Sequence, residues 1–505
     1  MTESEPTFLY WHDYRYFPYE KDLALREVRS LLRPKSLSLC SSGLRVTGPI
    51  SPSSISRLVY FSAAKTEDQL LPTLQHRLET ASARTRKQRR QITRYSVHGL
   101  HEYKGRFNPQ VVRGILNGLG IRQGGPILDP FVGSGTTLVE CTHVGTAAHG
   151  VDLNPLAVFL SNAKLTALST PHDNLFRTYQ TIARAYRESP KLRVSERRPS
   201  NRIDYLSRWF PPRTLASIEH LRELVLANGD SHAEVYIALA SDLLRDYSLQ
   251  EPSDLRIRRR RTPLPEMPFW EAFQRKASTF LADVAATQSV IGVPSPISRA
   301  YLGDTRSLSP SPALPLLQYE AAITSPPYAT ALPYIDTQRL SLVWTGLLDP
   351  SALPLLEAAL TGSREMSPTE RIQHTEPLEE NSRHLPRPLH TFCLHLQAAL
   401  SPADGFRRRA VPTLLYRYLA DMRDCLASVL PLLATGAPFA LIVGHNRTTL
   451  GDQPRDIDTP HLITDLALSV GFAHQETLSL QTYQRYGLNK ANAVLGESLV
   501  LLRKP

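Results

Sequence analysis

The chain has 505 residues, 42% hydrophobic and 21% charged, which is longer than one hydrophobic core usually fills and excludes a disordered tail. Lys plus Arg outnumber Asp plus Glu by 58 to 47, a net charge of +11. That balance suits a polyanionic partner without choosing between nucleic acid and an anionic membrane surface. Cys40, Cys141, Cys393 and Cys425 have no metal-ligand spacing, excluding a disulfide framework or zinc knuckle and favouring a reducing, cytoplasmic setting.

The N-terminal stretch MTESEPTFLYWHDYRYF is acidic where a secretory leader is basic, so no leader is expected. An aromatic segment and the helical pattern EKDLALREVRSLL follow, and residues 1–95 read as an accessory subdomain ending in a basic linker. Arg86, Arg89 and Arg90 belong to a linker run with no acidic neighbour. Such a run suits a solvated connection or a contact to backbone phosphates.

From residue 96 short apolar runs alternate with helical stretches, the texture of a doubly wound α/β domain. Seven strands are expected, at 126–130, 147–154, 298–305, 321–327, 437–444, 473–480 and 497–504. Roughly 140 residues separate the second from the third, far more than an ordinary connection. Residues 166–297 are therefore expected to be a mostly helical insertion between two parts of a catalytic domain, 96–165 and 298–505. The insertion carries a second basic cluster with Arg258, Arg259 and Arg260, and a Pro-rich excursion covers 349–390. The uncharged run Cys425–Gly444 is broken by Pro431, Gly436 and Pro438, which predicts helix, turn and strand rather than a membrane span.

Chemistry concentrates at the expected strand ends. In LDPFVGSGTTLVE, Asp129 and Pro130 end a strand, Phe131 follows, Gly133 and Gly135 make a tight turn, and Thr136 opens a helix. This is a nucleotide-like cofactor site. Leu138 stands where a dinucleotide fingerprint needs a third glycine, and no GK[ST] follows, which disfavours pyrophosphate ligands. Asp152 ends the second strand, placed to accept ribose hydroxyls, and Asp304 ends the third, placed to accept from an adenine amine. Either carboxylate, taken alone, is equally readable as a turn former. The fourth strand runs into Ser325, Pro326, Pro327 and Tyr328. Two prolines end the ladder rigidly; Ser325 and the Pro326 carbonyl can accept the hydrogens of a planar amine, and Tyr328 can stack on an extruded base. The plain alternative is a strand terminator beside a core tyrosine.

The ordered set DPFVGSGTT, GVDLNP, GDTRSL and TSPPY resembles the S-adenosylmethionine-dependent DNA amino-methyltransferases, good in specificity over about 96–165 and 298–345. The resemblance implies a class I, Rossmann-like fold with S-adenosyl-L-methionine as cofactor and a flipped base of double-stranded DNA as substrate. It implies that Asp129, Pro130, Phe131, Gly133, Gly135 and Thr136 enclose the methionine end, with Asp152 on the ribose and Asp304 on the adenine. HGLHEYKGRFNPQVV matches the family's segment over the cofactor, with Lys104, Phe107 and Pro109 in equivalent places. Ser before Pro-Pro-Tyr is mostly a cytosine-N4 feature, so cytosine N4 is the expected target and Ser325, Pro326, Pro327 and Tyr328 the catalytic set. Restriction or defence-system proteins are the partners this resemblance implies.

Three readings compete: adenine-N6 transfer, guanine-N2 transfer in tRNA, and a DNA-binding subunit with an idle methyltransferase fold. The insertion departs from the family, whose recognition region usually adjoins the catalytic strand, so 166–297 and then 349–420 are the candidate readers of DNA. The tail residues Tyr483, Arg485, Tyr486 and Lys490 are candidates to steady the target strand or to form a plain surface loop. His98 and His101 lack a carboxylate or cysteine set in sequence, and no metal is expected.

Overall fold

The computed structural model describes residues 6–82, 91–121, 125–189, 200–308, 318–329, 334–363, 376–481 and 496–505. Its first element is a five-stranded antiparallel sheet that the apolar patterning does not announce. It is built from β1 (Thr7–Trp11), β2 (Ser36–Cys40), β3 (Gly43–Thr47), β4 (Phe61–Lys65) and β5 (Leu70–Pro72), in the order β2-β3-β1-β4-β5. Between β1 and β2 runs the expected helix, Pro18–Leu32, with Glu20 accepting from the Phe17 N–H at 2.7 Å to close its first turn. Its buried face is Leu23, Ala24, Glu27, Val28 and Leu32. Glu27 is wholly buried, yet its oxygens accept from the N–H groups of Val59 and Tyr60 and from the Asn117 amide at 2.9–3.1 Å. The apolar residues of this face share one core with the helix Pro109–Gly118 and the central sheet.

All seven expected strands form that central sheet: β6 (Ile127–Asp129), β7 (Ala148–Asp152), β8 (Arg299–Leu302), β9 (Ala321–Thr324), β10 (Pro438–Gly444), β13 (Ala473–Gln481) and β14 (Gly496–Arg503). A hairpin of β11 (Asn446–Leu450) and β12 (Gln453–Ile457) lies between β10 and β13. The sheet order is β13-β14-β10-β9-β6-β7-β8, with β14 antiparallel to both neighbours and the other pairs parallel. Helices cover both faces, so β10 reads as the unbroken apolar run FALIVG, buried throughout. From β6 the chain winds outward through β7 to β8, then returns beside β6 as β9 and winds the other way. The crevice beyond the ends of β6 and β9 is thus a topological switch point, where open α/β sheets bind ligands.

Between β7 and β8 the chain forms helices Pro155–Ser169, His172–Glu188, Asn201–Ser207, Pro212–Asn228, Ala233–Tyr247 and Phe269–Ile291. Their core includes Leu160, Leu221, Leu239 and Phe273, and it takes in Ile335, Leu342 and Trp344 of the helix Tyr334–Thr345 that follows β9. The inserted helices therefore pack on the element leaving the Ser-Pro-Pro-Tyr strand end. The Cys425–Gly444 run resolves into the end of the helix Val411–Val429 and β10, and no described helix is long and apolar enough to cross a membrane.

Candidate active site

The switch point opens into a cleft of about 1000 Å³ including its mouth. Its floor begins at Asp129, 2% exposed at the end of β6. Asp129 accepts from Thr324 Oγ1 at 2.7 Å and from the Phe131 N–H at 3.2 Å, tying the ends of β6 and β9 together across the point where the winding reverses. Burial raises its carboxyl to about 6.

Beyond Asp129 the chain turns through Gly133 and Gly135, at φ +49° and +77°. At Gly135 the turn needs both the left-handed backbone and the missing side chain, since a Cβ would lie 2.8 Å from Ser161 Oγ. The helix Pro155–Ser169 secures the turn from behind: Ser161 Oγ donates to the Gly133 carbonyl at 3.0 Å and the buried Lys164 amine to the Ser134 carbonyl at 2.6 Å. Ser161 and Lys164 are contributors that sequence reasoning missed, because a helical face gives no local signal of what lies beneath it. Asp152, ending β7, accepts from the Gly133 N–H and the Asn154 N–H, each at 2.9 Å. The Leu153 N–H also bonds this carboxylate, whose remaining acceptor capacity suits a diol, and burial raises it to about 6.

Asp304 enters the same cleft after β8, where Arg306 grips its carboxylate at 2.7–3.1 Å. From the other side, Tyr103, Lys104, Gly105, Arg106 and Phe107 form a wall ahead of the helix Pro109–Gly118, whose cap is Asn108. Lys104 pairs with Glu102 rather than reaching inward alone. This wall is fastened to the inserted helices: Asp242 accepts the Glu102 N–H at 2.5 Å and pairs with Lys276 at 2.6 Å.

Ser325, Pro326, Pro327 and Tyr328 line the remaining edge. Ser325 Oγ donates to the Ile442 carbonyl of β10 at 3.2 Å and also hydrogen-bonds with the Tyr328 hydroxyl, so acceptor capacity remains on its oxygen. Tyr328 Oη donates to Glu497 of β14 at 2.5 Å, and a Cβ on Gly444 would lie 2.8 Å from the tyrosine ring. Burial and the Glu497 charge push this phenol well above its ordinary value, so it stays a donor. Tyr334, Leu360 and Thr361 complete the edge; they come from segments with no motif and were not foreseen.

The cleft thus brings together Lys104, Phe107, Asp129, Phe131, Gly133, Thr136, Asp152, Asp304 and the four residues 325–328. Pro130 and Gly135 stand behind its wall, Pro130 accepting from the Thr305 hydroxyl and Gly135 against Ser161. Arg86, Arg89, Arg90 and the tail residues Tyr483, Arg485, Tyr486 and Lys490 lie outside the described residues. Arg258 pairs with Asp254 at 2.8 Å, Arg259 lies over Trp209, and Arg260 donates to the carbonyls of Asp246, Ser248, Thr262 and Pro263.

One expectation needs correcting. His98 does have carboxylate company: Glu140 lies 2.7 Å from its Nε2 and 3.3 Å from His143 Nδ1, all wholly buried. Glu140 and His143 share one turn of the helix Thr136–His143, whereas His98, 42 residues from Glu140, meets them only through folding. Arg113 pairs with the other oxygen of Glu140, Oε2, at 3.0 Å, and Tyr95 donates at 2.8 Å to Oε1, the oxygen beside His98. With the Arg113 charge already neutralising it, Glu140 is the hub of a buried ion network; Arg113 and His143 hold its carboxyl well below the usual range against the opposing effect of burial. His101 turns away, 3.6 Å from Asp242.

The strand order, the reversed β14, the glycine turn and the carboxylates ending β6 and β7 are those of the class I, Rossmann-like methyltransferase fold, whose cofactor is S-adenosylmethionine. The residues fit that cofactor: a carboxylate with acceptor sites left for a diol, a turn that admits close approach, and a buried Ser134 hydroxyl without a partner among the described residues. The family model and the sequence relatives agree. The family model UPF0020, described as an RMKL-like methyltransferase domain, matches residues 100–183. The type II methyltransferase M.MjaII of Methanocaldococcus jannaschii is 45% identical over 69 residues, 14% of this chain and 13% of that protein. M.BsoBI of Geobacillus stearothermophilus is 25% identical over 292 residues, 53% of this chain and 56% of that protein. The chain thus spans about half or less of the length of these relatives. Among solved structures, TrmN from Thermus thermophilus matches over 99% of both chains at 11% identity and a TM-score of 0.35.

Proposed function

We propose that the protein transfers a methyl group from S-adenosylmethionine to the exocyclic amine of a base in duplex DNA, with cytosine N4 as the target. The observation that carries this reading is the placement of Ser325–Tyr328 at the end of β9, bridged to Asp129 across the switch point and opening into the same cleft as Asp152. The similarity to type II methyltransferases supports DNA as the substrate.

Bound S-adenosylmethionine supplies an electrophilic methyl group on a sulfonium. The chain's task is to hold it and to present an amine nitrogen to it. Asp152 would hold the ribose hydroxyls, and Asp304, already gripped by Arg306, would accept from the adenine amine. Ser325 Oγ, its own hydrogen committed to Ile442, accepts one hydrogen of the target amine, and the Pro326 carbonyl accepts the other. Both contacts draw the nitrogen lone pair out of conjugation and toward the methyl carbon. Transfer would leave the cofactor a neutral thioether and the nitrogen with one proton to lose, which Ser325 Oγ and the Pro326 carbonyl would steady by hydrogen bonds until solvent takes it. The amine's acidity rises with methylation, so no separate general base is required. Tyr328, fixed by Glu497 and Gly444, supplies the stacking face for the extruded base.

Substitution at Ser325 tests this reading. Ser325→Ala is expected to lower kcat on duplex DNA by roughly a hundredfold or more, in the range of lost transition-state hydrogen bonds, with S-adenosylmethionine affinity kept. Loss of cofactor affinity with kcat retained would assign Ser325 to the other ligand and overturn the reading.

A further inference from the structure

The inserted helices present a basic hairpin whose construction matters more than its charge count. Residues 249–261 fold back on themselves through backbone bonds between Leu249 and Arg260 and between Glu251 and Arg258. Arg260 stiffens the turn by donating to four backbone carbonyls. At its base Trp209 carries two guanidiniums over one indole ring, Arg259 at 4.6 Å and Arg339 at 3.8 Å from the ring centroid. Arg339 is buried and bound by Tyr205 and Gln250, whereas Arg259 is exposed.

Among the described residues the guanidiniums of Arg259, Arg339, Arg208 and Arg261 take part in no ion pair; Arg258 pairs with Asp254, and Glu251 accepts the Arg261 N–H at 3.0 Å. Asp246, Glu251 and Asp254 lie in or beside the hairpin and offset only part of its positive charge, so the cluster keeps an excess that a bound polyanion relieves.

Position supplies the second argument. Arg339 belongs to the helix Tyr334–Thr345, whose first residue lines the cleft. Five residues of helix separate Tyr334 from Arg339, about 7.5 Å of rise. Adding the stack on Trp209 puts Arg259 within roughly 20 Å of the cleft mouth, about six base-pair steps of duplex.

We propose that Arg259, seated on Trp209 over Arg339, and its neighbour Arg261 form a backbone-phosphate site that grips duplex DNA on one side of the extruded base. The site rests on the methylation reading above. It contacts phosphates and not base edges: Arg259, held by the Trp209 indole and the Arg208 carbonyl, lacks the freedom to follow a base sequence, so the site sets register and affinity but not sequence choice.

The test is equilibrium binding of the full chain to a fluorescent 30-base-pair duplex between 50 and 200 mM salt, for the natural protein, Arg259→Gln, Arg261→Gln, the double variant and Arg259→Lys. Each glutamine is expected to reduce the slope of log affinity against log salt by about 0.9 and the double variant by about twice that, on any duplex sequence. Arg259→Lys is expected to keep the slope. Cofactor affinity, measured alongside, reports that each variant is folded, and Arg261→Gln, which touches no core residue, stands in should Arg259→Gln unfold. Slopes equal to that of the natural protein overturn the phosphate site and leave the catalytic reading intact. A natural protein that binds no duplex overturns both.

Discussion

Tyr328 and Glu497 meet across the sheet at 2.5 Å, joining the segment that leaves β9 to β14, which runs antiparallel to both its neighbours. The tyrosine ring lies where Gly444 has no side chain, so its plane is set by the glycine and its rotation by the carboxylate. Removing Glu497 leaves the backbone of residues 325–327 in place and frees only the ring. Glu497→Ala is therefore expected to lower kcat roughly tenfold, the value of a lost hydrogen bond to a charged group, while cofactor affinity holds. Glu497→Gln, which keeps an acceptor, is expected to restore most of the rate. Steady-state kinetics with duplex substrate and calorimetry with cofactor decide this; equal losses in both variants would remove the hydrogen bond from the account.

The glycine turn makes a second prediction. Gly135→Ala places a methyl group 2.8 Å from Ser161 Oγ in a backbone region that costs a side chain about 1–2 kcal/mol. Cofactor affinity should fall at least tenfold, with a thermal midpoint a few degrees lower. Unaltered affinity by calorimetry would mean that the turn does not touch the cofactor.

Asp152 makes the third. Burial raises it to about 6, and Asp129 likewise. Only the ionised carboxylate accepts both ribose hydroxyls, and binding below its pKa must release a proton. Affinity for S-adenosylmethionine should accordingly rise from pH 5 to pH 7 and level off above. Asp152→Asn should weaken binding and flatten most of that rise. A rise of full size in the variant would move the titrating group elsewhere.

Glu140 carries the fourth. Its removal leaves Arg113 buried and unpaired, at a cost of about 3–5 kcal/mol. A urea midpoint for Glu140→Ala close to that of the natural protein would refute the network as a structural hub.

The seven strands and the cleft residues at their ends were legible because each is a local event: an apolar run, a glycine pair, a carboxylate, two prolines. The N-terminal sheet escaped notice because its strands are five residues or fewer and its edge strand Ser36–Cys40 is half polar and barely buried, so nothing in the pattern separates it from loop. Ser161, Lys164 and Glu497 escaped for a different reason. Each acts on a motif residue from another element, at separations of 28, 30 and 169 residues, and only the packing of helix on turn or strand on strand brings them there. Glu140 and His98, 42 residues apart, are the same case.

The central claim is the chemistry of the methylated atom. Purified protein incubated with labelled S-adenosylmethionine and, in parallel, duplex DNA and total tRNA, followed by nucleoside mass spectrometry, measures it directly. The account predicts N4-methylcytosine in the DNA and no label in the tRNA; N6-methyladenine would contradict the role given to Ser325, and label confined to tRNA would contradict the account as a whole.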